Sequence, residues 1–459
     1  MTEAPIPPKP AAREGRASLW RRVRMFRRDI LSAQPERLYR AWMAEFRAPF
    51  LRSYLCNDPD LVERVLRTEP ETFPKSDRVR EGLAPLLGRA VFVTNGAEWR
   101  RQRRLIDPAF EGGRLRDTFP AILAAAEAAR DRLARRAGSV VEIEEEASHA
   151  AADVIFRTLF SIPIEDATAA EVYRRFRAFQ RAQPLINLAA FLRLPRWVPR
   201  LHRRAYLREA REIRALIARL VEDRARLIAR GAAPDDLATK IMTARDAETG
   251  AGFGAAEMVD QVAIFFLAGH ETSAAALGWA LYLLATHPAV QEGVAREAQE
   301  MAGPIGGIAD AGRLMLSRDV FREALRLYAP VPMMVREARC PVSFRGREVP
   351  AGSQIVLSPW HLGRHQRIWD RPDAFDPGRW QTEAGRAQAR RGFLPFSAGP
   401  RVCPGAGLAM IEGPVMLSVL CGSLRFSPAA GRTPVPVAHL TVRSEGGIHL
   451  KVEARPPLT

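Results

Sequence analysis

Phe396-Ser-Ala-Gly-Pro-Arg-Val-Cys-Pro-Gly405 is a short loop with Cys403 near its end, and an apolar run from Ala406 follows it directly. A cysteine at the mouth of a helix is where a thiolate is stabilised, because unpaired N–H groups and the helix dipole lower its pKa. Gly399 permits the left-handed turn that a tight loop around a bound sulfur requires. Gly405 leaves room for a flat macrocycle against the backbone. Arg401 is placed to reach an acidic substituent of such a ring, and Phe396 to shield the sulfur from water. These surroundings suit an axial thiolate on a haem iron, a ligand that pushes electron density onto the metal and favours O–O cleavage. The alternative is a buried, inert cysteine, the usual state of a free thiol. The ten-residue setting weighs against it.

The remaining cysteines, Cys56, Cys340 and Cys421, are far apart in sequence and form no Cys-x-x-Cys pair. Neither a zinc site nor a disulfide framework is indicated, and a reducing cytoplasm fits. The 459 residues are 47% hydrophobic and 26% charged, ordinary for a globular chain large enough to bury a sizeable cofactor. The net charge of +17 first suggests a nucleic-acid partner. However, only four lysines stand among the 69 Lys and Arg residues, and the arginines are interleaved with Glu and Asp along helical stretches. That pattern excludes a selected nucleic-acid surface and favours an acidic protein partner on a basic face.

Residues 1–40 are expected to be a tail, with Met1–Arg16 disordered and Trp20–Ile30 a basic amphipathic segment able to lie weakly on an acidic membrane surface. Residues 41–459 are expected to form one domain. No secretory signal is visible and no transmembrane anchor is expected. Val262–Ala285 imitates a membrane span, but His270-Glu-Thr-Ser273 interrupts it, as in a core helix that faces a reaction site.

Outward from the cysteine, the pattern predicts a fold that is mainly α with a small β region. Phe50–Cys56 reads as a strand, and Asp58–Arg67 as a helix capped by Asp with Pro at its first position. A basic helix begins at Gly96. Helical periodicity dominates to Thr286, broken at Pro163, Pro184 and Pro195–Pro199, and Leu201–Arg230 reads as one long amphipathic helix. Asp319–Tyr328 is a further helix. Val331–Pro359 reads as short strands with turns at Arg345-Gly346 and Ala351-Gly352. Irregular, Pro-rich chain leads to Pro400, a helix runs from Pro404 to Leu424, and a strand closes the chain near Ile448–Val452.

Within the apolar helix, Ala268 and Thr272 are four apart and share a face. Thr272 can bond back to the Ala268 carbonyl and widen the helix there. Gly269 keeps the place thin. The expected result is a notch for dioxygen beside a hydroxyl, with Glu271 available to relay the two protons that O–O cleavage consumes. Trp99 and Arg103 share one side of the basic helix, and Arg336 follows an apolar run. Both arginines suit haem propionates, since guanidinium pairs bidentately with carboxylate. Glu323-x-x-Arg326 could meet Arg379 in a buried cluster that fixes the irregular segment before Cys403.

Together these motifs resemble the cytochrome P450 family of haem-thiolate monooxygenases. Phe396-x-x-Gly-x-Arg-x-Cys403-x-Gly405, extended by Leu408-Ala409 and Glu412, is similar to the family's haem-binding loop. Ala268-Gly-x-Glu-Thr-Ser273 resembles its oxygen-activation helix, and Glu323-x-x-Arg326 with Arg379 its internal salt-bridge cluster. Trp99, Arg103, Arg336 and Arg401 match positions that bind haem propionates. Gln102 departs from the His of many relatives.

The resemblance implies a single-domain P450 fold with haem b (iron protoporphyrin IX) between the oxygen-activation helix and the cysteine-loop helix, and Cys403 as the metal ligand. It implies a bacterial-type, soluble, cytoplasmic monomer that hydroxylates a lipophilic small molecule with O2. Electrons would come from a separate ferredoxin or flavodoxin with an NAD(P)H reductase. The alternatives are a peroxide-dependent peroxygenase, whose relatives carry Arg and Pro in place of the acid–alcohol pair, and a non-catalytic haem sensor or electron carrier. By the same resemblance the pocket should draw on Val79–Val93, Phe176–Pro199, Phe266, Ala268 and Val331–Met334. Its apolar members would be Leu83, Leu86, Leu87, Ile186, Leu188, Phe191 and Leu192. A fatty acid, terpenoid or hydrophobic aromatic would fit, with Arg78 or Arg80 open as an anchor for a carboxylate.

Overall fold

A computed structural model of the chain describes residues 5–12, 24–26, 29–48, 51–182, 204–300, 306–438 and 440–456. Its principal helices are α1 Asp77–Leu87, α2 Gly96–Ile106, α3 Phe119–Ala134, α4 Ile143–Phe160, α5 Ala167–Ala182, α6 Arg204–Ala229, α7 Ala255–Thr286, α8 Pro288–Gln299, α9 Met315–Leu327, α10 Glu383–Gly392 and α11 Ala406–Ser423. The strands are β1 Met43–Ala48, β2 Leu51–Cys56, β3 Val140–Glu142, β4 Met334–Glu337, β5 Val342–Phe344, β6 Arg347–Val349, β7 Gln354–Leu357, β8 Leu424–Pro428, β9 Val435–Ala438, β10 Val442–Glu445 and β11 His449–Ala454. The expected mainly helical fold with a small β region is what forms.

Local chemistry explains the boundaries. Ser76 caps α1 by accepting from Arg78 N, and Gly88 ends it at φ +50. Glu142 caps α4 by accepting from the amides of Glu144 and Glu145. Asp58 accepts from Asp60 N and Pro59 takes the first helical position, as the pattern predicts, but the helix ends at Glu63 and continues as a π-helical turn to Thr68. The turns at Arg345-Gly346 and Gly352 adopt positive φ.

α7 carries no polar face. It is buried along most of its 32 residues and belongs to two apolar clusters at once. One cluster joins it to α3, α4, α8, α9 and α11, and the other to α1, α2, α4, α5 and α6. A third lies under the sheet β1–β2–β7–β4, in which β2 runs parallel to β7 and the other pairs are antiparallel. The register sets Arg336 opposite Ile355 and Cys56 opposite Leu357. β11 lies between β3 and β8, while β5–β6 and β9–β10 are separate hairpins. The one helix long and apolar enough to cross a membrane, among the described residues, is α11 and not α7; it is packed in the main core cluster.

The Glu323 cluster forms as expected. Glu323 accepts from Arg326 Nε and Nη2 at 2.9 and 2.7 Å, from Arg379 Nε at 2.9 Å and from Asp376 N at 3.0 Å. Arg326 also donates to the carbonyls of Gly363, Pro372 and Ala374. Glu323, Arg326 and Arg379 are all buried, so the irregular chain from Gly363 to Gln381 is held by charge rather than by periodic hydrogen bonds.

At the N-terminus, residues 5–12 lie along the body rather than in a disordered tail. Pro8 O accepts from Tyr328 Oη at 2.8 Å, and Lys9 Nζ meets Asp373 at 2.9 Å while lying over the Tyr39 ring. The prolines of this segment pre-extend it, which lowers the entropy lost on docking. Residues 29–40 are equally integrated: Ile30 N bonds Ala438 O, and Leu38 is fully buried. Of the basic segment Trp20–Ile30, residues 24–26 are helical and 29–30 are in place; the rest lies outside the described residues.

Candidate functional site

The loop before α11 is built around two left-handed residues, Ser397 (φ +62) and Gly399 (φ +67). Gly399 is required twice over, because a Cβ there would lie 2.1 Å from Leu66 O. Cys403 N donates to Phe396 O at 2.9 Å, which closes the loop so that the sulfur faces inward beside Gly405. Val402, Cys403 and Gly407 are accessible, although protein surrounds the thiol closely. The expectation of a lowered thiol pKa does not hold for the free thiol. Burial raises it, outweighing the Gly405 and Ala406 amides and the Arg103 charge, all of which act in the lowering direction. A cation bound at the sulfur would invert that balance.

Ala268 is exposed in the middle of an otherwise buried α7, and Thr272 is half-buried one turn on. Thr272 Oγ1 donates to Ala268 O at 2.5 Å, as its spacing predicts. Gly269 keeps the helix thin, but against α4: a Cβ would stand 2.2 Å from Ile155 Cδ1. Ala268 and Thr272 thus share an accessible stretch of α7, and the accessible Cys403 lies just before α11. α7 and α11 are tied by Ser273 Oγ donating to Glu412 Oε2 at 3.0 Å. Glu271 is not bonded to Thr272. Its Oε1 accepts from Thr441 Oγ1 at 2.8 Å and Arg443 Nη2 at 2.9 Å, and its buried Oε2 has no partner among the described residues. Neighbouring His270 meets Ser148 Oγ at 2.7 Å, and burial pushes its pKa down to about 3.

At the cleft's edge, cations outnumber anions. Arg401, Lys75 and Arg103 lie 5.0, 5.6 and 6.0 Å from the centroid of the buried Trp99 ring. Arg336 is bridged to Lys75 by backbone pairing. Arg401 gives Nη1 to Pro70 O and stands 3.9 Å from the exposed Glu71. Its Nε and Nη2 make no hydrogen bond among the described residues, and neither does the Nε of Arg336. Arg103 is partly engaged, by Asp107 and Val402 O. Burial, then Arg336, Arg401 and Arg103, hold the Lys75 pKa well below its usual value, and burial with Arg401 brings Arg336 down to about 10. Three cations gathered at one aromatic ring, with Arg336 beside Lys75, include two arginines with orphaned buried donors, and together are a socket for carboxylates.

Lys75 was missed by motif reading, although a lysine in so arginine-rich a chain is itself a signal. Gln102 is spent elsewhere: it takes Thr94 Oγ1 and gives Nε2 to Arg89 O. Phe396 packs its ring on the main core cluster. Of the expected pocket residues, Leu83, Leu86, Leu87 and Phe266 are all buried in one apolar core cluster. Phe266 meets the rings of Phe156, Phe160 and Phe176, two positions round the helix from Ala268. Arg80 pairs with Asp77 in the open. Ile186, Leu188, Phe191 and Leu192 lie outside the described residues.

A profile of the family described as Cytochrome P450 matches residues 44–452. The chain belongs to the cytochrome P450 family. Similar proteins include a cyclooctat-9-en-7-ol 5-monooxygenase of Streptomyces melanosporofaciens, 32% identical over 430 residues that cover 91% of this chain and 88% of that protein. A cyclooctatin synthase of the same organism is 31% identical, covering 84% of each. Human cytochrome P450 4A11 is 30% identical, covering 87% of this chain and 79% of that one. The crystal structure of the cytochrome P450DA heme domain superimposes with a TM-score of 0.80 at 23% identity, covering 99% and 98% of the two chains, which supports the fold. This P450 is thus a monooxygenase of the oxidoreductase class, and its family implies haem with a cysteine thiolate ligand. The anion-poor cation socket, the accessible Cys403 and the bared Ala268 fit such a group.

Proposed function

We propose that this P450 hydroxylates a lipophilic small molecule with O2, using haem b held by Cys403 and electrons from a separate protein donor. The observation that carries the reading is an accessible Cys403, within the influence of Arg103, next to the cationic socket of Lys75, Arg103 and Arg401 around Trp99, with Arg336 beside Lys75. When bound, the haem supplies reductive activation of dioxygen, with the thiolate as electron donor to the metal.

The chain's own residues do the rest. Trp99, Arg103, Arg336 and Arg401 would hold the propionates. Gly405 allows close approach to the ring, and Phe396 fixes the loop through its carbonyl. Ala268 leaves space beside Thr272, whose hydroxyl would hold a proton and pass it on when the haem is bound. Glu271, one residue before Thr272 on α7, is the acid this reading assigns to the relay.

Apolar surroundings (half-buried Val79, Phe265, Val331 and Met333) support a lipophilic substrate, and the cyclic hydrocarbon named in the cyclooctat-9-en-7-ol relative makes a terpenoid the first class to try. An acidic donor is supported by a cleft of about 120 Å³ lined by Arg390, Arg391 and Ser397, at which Arg67 is paired with Glu63. Action as a cytoplasmic monomer with a ferredoxin or flavodoxin completes the reading.

The test is oxygen uptake and product formation with a plant-type ferredoxin, its reductase and NADPH, run on ligands chosen by spectral titration. Product that requires both O2 and the donor system is expected. Product from hydrogen peroxide alone would make the protein a peroxygenase. No product from any ligand that shifts the spectrum would favour a sensor or carrier. A polypeptide that stays colourless on reconstitution with haem overturns the whole reading.

A further inference from the structure

Residues 5–12 carry a ligand pattern of their own. Pro7-Pro-Lys-Pro10 holds three prolines, each fixing φ at about −65°, and Lys9 stands before a proline, which keeps it extended. Such a stretch favours the polyproline II helix, whose three residues per turn put Pro7 and Pro10 on one face. Those two are buried, whereas Pro8 and Lys9 between them are half-buried and Ile6 is 74% exposed. Burial thus follows the period of that helix.

The surface beneath supplies what recognition of such a helix needs: aromatic rings, a hydroxyl for a backbone carbonyl, and acids for the cation. Tyr328 Oη, just past α9, donates to Pro8 O at 2.8 Å. Lys9 Nζ donates to Asp373 Oδ2 at 2.9 Å and to Glu36 Oε1 at 3.4 Å, and stands 4.9 Å from the centroid of the Tyr39 ring. Burial pulls the Lys9 pKa down, but Asp373, Glu36 and Tyr39 outweigh it and the net direction is up, so the ammonium stays charged in place. Each of these groups is braced from behind. Tyr328 stacks on Trp279 at 4.0 Å, with the buried Arg364 guanidinium 5.2 Å from its centroid. Arg364 also donates to Asp373 Oδ1 at 2.8 Å, and Trp360 Nε1 donates to Tyr39 Oη at 2.8 Å. The contact groups are therefore fixed by the body of the fold, which lowers the entropy lost when a ligand binds.

We propose that Tyr39, Tyr328, Asp373 and Glu36 form a receptor site for lysine-bearing polyproline II peptides, and that residues 7–10 are its ligand in cis. The tether raises the local concentration of that segment to about the millimolar range, so the chain's own copy fills the groove, and a free peptide of the same chemistry enters when that copy is dislodged. The site shares no residue with the cation socket around Trp99 and does not depend on the haem.

The test uses the full chain and a fluorescein-labelled peptide of residues 6–12, Ile-Pro-Pro-Lys-Pro-Ala-Ala, read by fluorescence anisotropy. A chain carrying Pro7→Gly, Lys9→Glu and Pro10→Gly loses its own ligand and is expected to bind the peptide at least about tenfold more tightly than wild type. Adding Tyr328→Phe keeps the stack on Trp279, removes the hydroxyl and should weaken binding about fivefold. A peptide with its prolines replaced by alanine keeps the lysine and should bind at least about tenfold more weakly. The proposal is overturned if the triple variant, with wild-type circular dichroism, fails to bind, or if wild type binds equally well. It is also overturned if the alanine peptide binds as tightly, which would leave charge alone at work. Sedimentation showing a wild-type dimer that Lys9→Glu dissolves would overturn the assignment in cis, because the segment would then fill a second copy's groove. Should the triple variant misfold, thermal unfolding decides. Tyr328→Phe and Pro10→Gly should be coupled in a double-mutant cycle, since loosening the segment takes away the carbonyl that the hydroxyl serves. Strictly additive effects would mean that the segment is not held as one ligand, and would end the proposal.

Discussion

Ser273 Oγ donates to Glu412 Oε2 at 3.0 Å, and through that bond the helix bearing Thr272 is fastened to the helix that follows Cys403. The two helices thus share one partly buried polar contact. Burial of Glu412 pushes its pKa up to about 8, with the Ser273 hydroxyl pulling weakly the other way. The carboxyl is therefore protonated in the fold at neutral pH, and can both accept from Ser273 and donate elsewhere.

Stability should report that proton. A carboxyl whose folded pKa lies above the unfolded value of about 4.3 binds its proton more tightly in the folded state. Its contribution is complete at pH 4 and is lost as pH rises toward about 8. Glu412→Gln keeps the shape and removes the titration. Relative to the difference in melting temperature at pH 5, the variant should gain on wild type by about 2 °C or more by pH 8.5. Glu144, pushed up to about 7 mainly by burial, contributes a slope of the same sign to both proteins and cancels in the comparison. Parallel melting curves across that range would place the Glu412 proton elsewhere.

The Glu323 cluster gives a different kind of prediction. Arg326 makes five hydrogen bonds, two to Glu323 and three to carbonyls of the irregular chain. Arg326→Ala leaves a buried carboxylate with Arg379 as its one cationic partner and takes a donor from each of three carbonyls. Breaking a buried ionic network in this way costs about 3–5 kcal/mol. Because residues 363–381 lead toward the cysteine loop, urea unfolding should show the loss, and haem content should fall with it. An Arg326→Ala protein with wild-type haem content and an unmoved urea midpoint would remove this cluster from the account of how the loop is held.

How much of this was legible beforehand depends on the range of the interaction. Gly399, Thr272–Ala268 and Glu323–Arg326 are local: a positive-φ turn, an i,i+4 back-bond and an i,i+3 pair are each fixed by spacing along one element. The destination of Glu271 was not legible, because its partners Thr441 and Arg443 are 170 and 172 residues away and a hairpin brings them. Phe266 was misplaced for a related reason. Periodicity shows that α7 is apolar on all sides, and only the packing of α4 and α5 decides which side is core. The cysteine's helix N-terminus was read correctly, yet its effect on the free thiol is smaller than that of burial, a quantity no local pattern carries.

Lys75 separates cofactor binding from apo stability. Its ammonium donates to Val91 O at 2.6 Å and faces Arg336, Arg401 and Arg103 without an acid to match among the described residues. Lys75→Met removes a buried cation that is costly in the apoprotein and that the propionates would reward. The apoprotein of the variant should unfold at a higher temperature than wild-type apoprotein. Its haem should pass to apomyoglobin several-fold faster. Both signs are needed: slower or unchanged haem transfer would show that Lys75 takes no part in holding the cofactor.

Thr272 offers the sharpest test of the cleft's chemistry, because its hydroxyl has a defined partner. Oγ1 donates to Ala268 O, the carbonyl that the helix also offers to the Thr272 amide, so the donor is occupied while the oxygen keeps its lone pairs to accept with. In that state the hydroxyl can accept a proton from an acid and pass its own onward, without moving its Cα. Thr272→Ala should leave haem content and ligand-induced spectral shifts intact, since neither depends on the hydroxyl. Positioned proton transfer contributes about 100-fold or more, so product should fall by at least about tenfold while NADPH is still consumed, the balance being released as peroxide. Thr272→Ser retains the hydroxyl and should recover much of the coupling, whereas Thr272→Val, which fills the same space without it, should not. Equal product per NADPH in the Ala, Val and Ser variants would mean that protons reach dioxygen by a route that bypasses this residue, and Glu271 would then have to act through water entering at the bared face of Ala268.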